Sequence, residues 1–109
     1  MVTLRRKQQG AVFRAIGDPT RRKILGMLRG RPYSVGDIAA NFRTSRPAIS
    51  KHLRMLREVG LVATTRKGTA RICVLNAEPL RAVGDWIGDY EAYWSKTLQG
   101  LKRYVEDQR

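Results

Sequence analysis

The segment from Thr44 to Val62 constrains the fold most, because it predicts an amphipathic helix that runs directly into a β-strand. Ser45 is a favourable N-cap, Pro47 fits the first helical turn, and Gly60 suits the end of the helix. The apolar residues recur at i, i+4 and i+7 and predict one narrow buried stripe, formed by Ile49, Leu53 and Leu56. The segment therefore predicts a helix that packs against other helices along a single face.

The opposite face of this predicted helix is basic and polar. At about 100° per residue it carries Pro47, Ser50, Lys51, Arg54 and Met55, with Arg57 nearer the flank. Such a face suits a groove lined by phosphates. Exposed lysine and arginine are often simply solvated, so this face alone leaves both interpretations open. The neighbouring motifs decide between them.

Two longer helices are predicted at the start of the chain. The first runs from about Leu4 to Ile16 and ends at Gly17. The second begins after the N-cap Asp18, with Pro19 at its first position, and ends at Gly30. Its predicted core residues are Ile24, Leu25 and Leu28.

A shorter helix follows the connector Arg31-Pro32-Tyr33. It begins after the cap Ser34 and ends near Phe42. The residues that it is expected to bury are Val35, Ile38 and Ala39. Together with the helix that begins after Ser45, it forms a predicted helix-turn-helix pair.

Two β-rich runs, Leu61 to Arg66 and Ala70 to Leu75, follow the helix-turn-helix pair. Gly68, between them, can supply the positive φ that a hairpin turn needs. The basic residues at or near the tip of this hairpin can reach phosphates or the minor groove, and they are Arg66, Lys67 and Arg71. Basic hairpin tips also occur for solubility alone.

Taken in order, these motifs resemble ArsR-type winged helix-turn-helix repressors from about residue 12 to residue 76, and the helical tail fits the same family. The resemblance implies a mainly α fold with a small β-hairpin wing, in the order α-α-α-α-β-β-α, as one domain over residues 1–109. It also implies DNA contacts from Ser45, Arg46, Pro47, Ser50, Lys51, His52, Arg54, Arg57, Arg66, Lys67 and Arg71. Many family members carry arginine directly after the wing glycine, whereas this chain has Thr69 there and Arg71 two residues later.

The positive charge is confined to one part of the chain. Residues 1–77 hold 17 Lys/Arg and 3 Asp/Glu, a net charge of +14, whereas residues 78–109 hold 5 and 6, a net charge of −1. This asymmetry indicates a body that binds a polyanion and a tail with another task. RNA or a membrane surface would also attract such a body. The alternative function is therefore that of a non-sequence-specific nucleic-acid-binding protein.

The tail from Pro79 onward is apolar and aromatic. Its seam steps by three and four residues through Leu80, Val83, Ile87, Tyr90, Trp94, Thr97, Leu101 and Tyr104. Three further residues widen the apolar face, namely Trp86, Tyr93 and Leu98. Folding back onto its own domain would cover part of this face, but a helix so aromatic needs a further partner surface.

Similar proteins pair this last helix with the first helix across a twofold axis, so the resemblance implies a homodimer with residues 79–106 as the C-terminal dimerisation helix. Gly84 and Gly88 would permit a bend or a close helix approach. The expected interface residues are Val12, Phe13, Ile16, Leu80, Val83, Ile87, Tyr90, Trp94, Leu98 and Leu101. A twofold dimer predicts an inverted-repeat operator with half-sites about 10 bp apart, or a multiple of that.

Metal-sensing relatives carry a Cys-x-Cys pair at the third helix, or Asp and His ligands on the last helix, whereas Ser34 and Gly36 occupy the positions of the pair here. The chain has one histidine, His52, and one cysteine, Cys73, so we expect no metal site and no cofactor. His52 lies at the edge of the apolar stripe and is expected to pack between helices or to bind a phosphate. Cys73 alternates with Ile72 and Val74 in a predicted strand; a redox switch is one interpretation, but a single half-buried thiol is more often inert.

Several function classes are disfavoured by the sequence. No nucleophile, base and orienting group stand at a recognisable spacing, so we expect no enzyme. The chain has no run of 18 apolar residues and no secretory signal, and a single cysteine fits a reducing cytoplasm. We therefore expect a cytoplasmic regulator. The aromatic residues Trp86, Tyr90 and Trp94 suggest a small-molecule effector at the dimer interface, with a protein partner as the alternative.

Overall fold

The computed structural model describes the backbone of residues 2–108 and the side chains of residues 8–108. Five α-helices, three strands and one 3-10 turn follow one another in the order α1 Val2–Ile16, α2 Pro19–Gly30, β1 Tyr33–Ser34, α3 Val35–Ala40, α4 Arg46–Glu58, β2 Val62–Lys67, β3 Ala70–Leu75, the 3-10 turn Glu78–Leu80 and α5 Arg81–Asp107. The predicted winged helix-turn-helix fold is confirmed. None of the helices in the described part of the chain has the length and apolar character that crossing a bilayer requires.

The hairpin carries a third strand that the sequence did not predict. β2 and β3 pair antiparallel, and β1 pairs antiparallel with the other edge of β3, so the order across the sheet is β1-β3-β2. The prediction of a plain connector was therefore wrong at Tyr33, which lies opposite Cys73. A strand of two residues is too short to show an alternating pattern in the sequence, so β1 forms only because it pairs with β3.

Helix α4 is held at both ends by the residues that the sequence indicated. At its start, the Ala48 amide donates to Ser45 Oγ over 3.2 Å. At its end, Gly60 adopts a φ of +80°. The Leu61 amide then donates to Leu56 O over 3.0 Å, which closes a Schellman motif and turns the chain directly into β2. These two caps fix the register of α4 in the fold.

Helix α3 is shorter than predicted. It ends at Ala40 rather than near Phe42. The Asn41 side chain donates to Asp37 O over 2.8 Å, and the Phe42 amide donates to Ala39 O over 3.1 Å in a tighter turn. This local side-chain bond competes with continuation of the helix.

The core lies between α2, α3, α4 and the sheet. The apolar stripe of α4 is fully buried, as predicted, together with Ile24, Ile38, Leu61 and Cys73. Burial of each large aliphatic side chain contributes about 1.5–3 kcal/mol to stability. Cys73 is completely rather than half buried, and its Sγ lies 3.7 Å from Thr64 Oγ1.

Helix α5 runs unbroken through Gly84 and Gly88 and begins against α1 of the same chain. The rings of Phe13 and Trp86 meet edge to face at 5.4 Å, and Gln9 Nε2 donates to Ala82 O over 3.3 Å. None of the residues of α5 is buried. At 1.5 Å per residue α5 is about 40 Å long, so most of it extends past this contact.

The N-cap of α2 predicts a pH-dependent contribution to stability. Asp18 Oδ2 accepts the Arg21 amide over 3.0 Å, and this hydrogen bond is the largest of the effects that hold the pKa of Asp18 below its usual value of 3.8. Replacement D18A should lower the free energy of unfolding by about 1 kcal/mol at pH 7. Because the folded-state pKa is depressed, the difference from wild type should shrink as the pH falls below 3.8.

Urea unfolding at pH 7 and pH 3 measures this effect. D18N is the matched control, because asparagine keeps a capping acceptor without the charge and should retain most of the stability at pH 7. An equal loss for D18A at both pH values would show that the carboxylate charge plays no part.

Candidate nucleic-acid interface

The outer face of α4 forms a shallow basic surface. Because the apolar stripe faces the core, the opposite side chains project outward. One depression of this surface is lined by five predicted contact residues, Pro47, Ser50, Lys51, Arg54 and Arg57. Lys51 and Arg54 are exposed, whereas Ser50 and Arg57 are half-buried at the edges. The predicted contact residues Ser45 and Arg46 are exposed at the start of the helix.

The tip of the wing carries two arginines directly opposite each other. In the register of β2 and β3, Arg66 pairs with Arg71 and Lys67 pairs with Ala70, while Gly68 turns the chain with a φ of +63°. Cross-strand partners share a face, so Arg66 and Arg71 lie side by side and Lys67 lies on the other face. Like charges in this arrangement are destabilising unless an anion lies nearby. The pair therefore favours a phosphate contact at the wing.

His52 lies on the flank of α4 that faces α2. Its Nδ1 is 3.1 Å from Arg21 Nη1 and 3.9 Å from Asp18 Oδ2, and the side chain is half-buried. An arginine only donates hydrogen bonds, so Nδ1 accepts and carries no proton in this arrangement. Of the two roles expected for His52, the structure supports helix packing.

Met55 was predicted on the outer face, and in the structure it lies at the edge of that face toward α2. Its side chain is half-buried, and Sδ accepts from Arg21 Nη1 over 3.4 Å. On a helical projection, positions 52 and 55 lie about 60° apart on the same flank. The same guanidinium therefore contacts both residues.

Arg21 is the residue of this region that the sequence analysis missed. It stands at the third position of α2, after the cap Asp18 and Pro19. A cation is disfavoured at the positive N-terminal end of a helix. The position of Arg21 in the first turn of α2 could therefore have indicated that its side chain makes a specific contact.

The predicted dimer residues fall into two groups. Val12 is 4% exposed and buried within its own chain, and five others are half-buried, namely Phe13, Ile16, Leu80, Val83 and Ile87. The remaining four are exposed by 45–67% along α5, namely Tyr90, Trp94, Leu98 and Leu101. The rings of Trp86, Tyr90 and Trp94 form a ladder with centroid spacings of 5.1 and 6.3 Å.

A groove of about 890 Å³ lies between α1, the end of α4 and the start of α5. Its charged lining residues are Glu58, Glu78, Arg81 and Asp85, and Arg81 Nε donates to Glu78 Oε2 over 3.0 Å. The aromatic ladder does not belong to its lining. Among the side chains of residues 8–108, no group of three or more His, Cys, Asp or Glu is arranged to hold a metal ion.

Comparison with known proteins agrees with this geometry. Residues 18–64 match the family described as bacterial regulatory protein, arsR family. The transcriptional repressor SdpR of Bacillus subtilis is 43% identical over 76 residues, which cover 70% of this chain and 84% of SdpR. The HTH-type transcriptional regulator Rv2034 of Mycobacterium tuberculosis is 32% identical over 96 residues, which cover 88% of this chain and 87% of that protein.

A solved structure matches over most of its length. The crystal structure of the ArsR family transcriptional regulator RHA00566 superimposes with a TM-score of 0.74 at 34% identity, covering 82% of this chain and 92% of that one.

The basic face of α4 predicts which charges matter for DNA affinity. Replacements K51A and R54A should each weaken binding to duplex DNA and reduce the slope of log K against log salt concentration by about 0.9 for each phosphate that is no longer neutralised. The matched control is K102A, which removes an equal charge from an exposed position on α5. Fluorescence anisotropy over a salt series measures both quantities. A loss of affinity for K102A as large as that for K51A would indicate attraction by net charge alone.

Proposed function

The chain belongs to the ArsR family of bacterial regulatory proteins and is a DNA-binding transcription regulator, and we propose that it represses transcription by binding an inverted-repeat operator as a homodimer. Membership of this family confirms the prediction of a regulator rather than an enzyme. The similarity to SdpR, which is named a transcriptional repressor, supports repression over activation.

The observation that carries the proposal is the outward basic face of α4 beside a wing with two opposed arginines. Lys51 and Arg54 project from the one side of the helix that the core leaves free. Arginine and lysine bind guanine O6 and N7 in the major groove, or phosphates beside it. Arg66 and Arg71, opposite each other at the wing, suit a phosphate or a narrow minor groove next to that site.

The exposed face of α5 supports a second copy of the chain as the partner. All the large exposed apolar side chains of the described residues lie on this helix, at Trp86, Tyr90, Tyr93, Trp94, Leu98, Leu101, Tyr104 and Val105. A contiguous apolar surface of this kind marks an interaction site. Pairing about a twofold axis would place two copies of α4 in successive major grooves, with half-sites about 10 bp apart. Repression would then follow from occlusion of the promoter.

Non-sequence-specific binding of nucleic acid is the second candidate, and the net charge of +13 favours it. Polyelectrolyte attraction alone gives affinity that falls steeply with salt and is equal for all sequences. An operator-specific regulator retains a preference at physiological salt.

Release from the operator by a small molecule or a protein partner stays a prediction, as does action in the cytoplasm. The aromatic ladder on α5 supports an effector at the dimer interface, because aromatic rings bind apolar ligands well. The acidic groove beside α1 lies apart from that ladder.

Selection from a randomised duplex library tests the proposed function. Duplexes of about 30 bp, long enough for two half-sites, should yield an imperfect inverted repeat that binds at physiological salt in preference to its shuffled version. The mass of the complex should correspond to two protein chains per duplex. Recovery of unrelated sequences with equal affinity would instead support the non-specific candidate.

A pair of variants on α5 tests the proposed dimer. L98E places a charge on the apolar face of α5 and should raise the dimer dissociation constant by at least about tenfold, since an unpaired charge is costly to bury. Q99E adds the same charge on the opposite side of α5 and should leave the dimer intact. Both side chains are exposed in the single chain, so neither change should unfold it. Analytical ultracentrifugation measures the constant, and similar values for the two variants would contradict the proposed interface.

A further inference from the structure

We propose that Arg21 positions the recognition helix α4, so that operator binding depends on a guanidinium whose hydrogen bonds go to the protein. The proposal rests on the proposed function in one respect, namely that α4 is the element that selects the DNA sequence. It adds a residue of α2 that lies outside the expected set of DNA contacts.

The first part of the argument is the contact between Arg21 and the end of α1. Arg21 Nε donates to Ala15 O over 2.6 Å, and Nη2 donates to Arg14 O over 2.9 Å. The last carbonyls of a helix lack partners within that helix and carry partial negative charge. Arg21 therefore caps the C-terminus of α1 with both a charge and hydrogen bonds.

The second part is the contact between the same guanidinium and α4. Arg21 Nη1 donates to His52 Nδ1 over 3.1 Å and to Met55 Sδ over 3.4 Å. His52 and Met55 are three positions apart and lie on one flank of the helix, beside the exposed residues Lys51 and Arg54. A single side chain thus connects α1, α2 and the flank of the basic surface.

The third part is the support that Asp18 gives to this arrangement. Asp18 Oδ2 accepts the backbone amide of Arg21 over 3.0 Å and lies 3.9 Å from His52 Nδ1. The carboxylate offsets the unfavourable place of a cation in the first turn of α2. Asp18 therefore holds the backbone of Arg21 at the N-terminus of α2, while the Arg21 side chain makes the link to His52 on α4.

The geometry of arginine is essential to this role. A guanidinium presents donors in several directions from one plane, whereas a lysine ammonium is a compact charge on a flexible stem. Side chains that select a ligand need to be held within roughly 0.5 Å of their productive positions. A lysine at position 21 could keep the charge, but it could not reach the carbonyls of α1 and the flank of α4 together.

Arg22 provides a matched control on the same helix. Its Nη1 donates to Ile16 O over 2.9 Å, so it also caps α1, and its side chain is exposed. This hydrogen bond of the Arg22 side chain joins α2 to α1 and does not involve α4. Removal of Arg22 therefore changes the charge and the α1 cap while leaving the contact with α4 in place.

The test compares wild type with R21M, R21K and R22M on two duplexes, the sequence selected from the randomised library and its shuffled version. R21M and R21K should each reduce the preference for the selected duplex by about tenfold, whereas R22M should retain it. Affinity for the shuffled duplex and its salt dependence should change equally in R21M and R22M, because both variants remove one positive charge. Circular dichroism at the assay temperature establishes that every variant is folded.

Two results would overturn the proposal in this assay. One is a preference in R21M equal to that in R22M. The other is a salt dependence reduced by about 0.9 in R21M alone, which would make Arg21 a phosphate contact. The double variant R21M/H52F sharpens the comparison: its preference should be no weaker than that of R21M, whereas additive effects would mean that the two residues act separately.

A measurement without DNA separates failure of this proposal from failure of the proposed function. Amide hydrogen exchange across residues 49–58 should be faster in R21M than in R22M, because only R21M removes a hydrogen bond to α4. Equal exchange would contradict the positioning role even if wild type recognises an operator. If wild type shows no sequence preference while exchange differs as expected, the proposed operator is wrong and the link between Arg21 and α4 stands.

Discussion

The burial of one stripe of α4 determines the rest of the molecule. Ile49, Leu53 and Leu56 are each completely buried, so the helix has one stable rotation about its axis. A shift of one residue would turn the helix by about 100° and bring charged side chains toward the core, where an unpaired charge is strongly destabilising. The caps at Ser45 and Gly60 fix the same register from the two ends. Because only one rotation of α4 buries the apolar stripe, Lys51 and Arg54 are always exposed on the opposite face.

The fold concentrates positive charge where a polyanion would bind. Residues 1–77 carry a net charge of +14, and β-sheet register places Arg66 opposite Arg71 at the wing. Like charges in opposed cross-strand positions are destabilising, and repulsion among the positive charges of the whole body adds to this. Phosphates of bound DNA would offset both the repulsion between the paired arginines and the repulsion within the basic body. Binding of DNA would therefore also stabilise the folded protein, because it offsets repulsion between the positive charges.

Local signals in the sequence were sufficient for the helices and the hairpin, and insufficient for contacts between them. Asp18, Ser34 and Ser45 were predicted as caps because an N-cap acts within three residues. Strand β1 was missed because its pairing with Cys73 and Ile72 depends on tertiary register. The links from Arg21 to His52 and Met55 span 31 and 34 residues and follow no periodicity, so the sequence did not indicate them.

Helix α1 connects the two surfaces on which the proposed function depends. Phe13 packs on Trp86 at the start of α5, and the last turn of α1 offers the carbonyls of Arg14 and Ala15 to Arg21. The same guanidinium contacts the flank of α4. Pairing of two copies along α5 would restrict α1, because Trp86 belongs to both the aromatic ladder and the contact with Phe13. Restriction of α1 would then act on α4 through hydrogen bonds of 2.6–3.1 Å, because such bonds are directional and weaken when their groups are displaced. In the proposed dimer, formation of the dimer and the orientation of α4 would therefore be coupled.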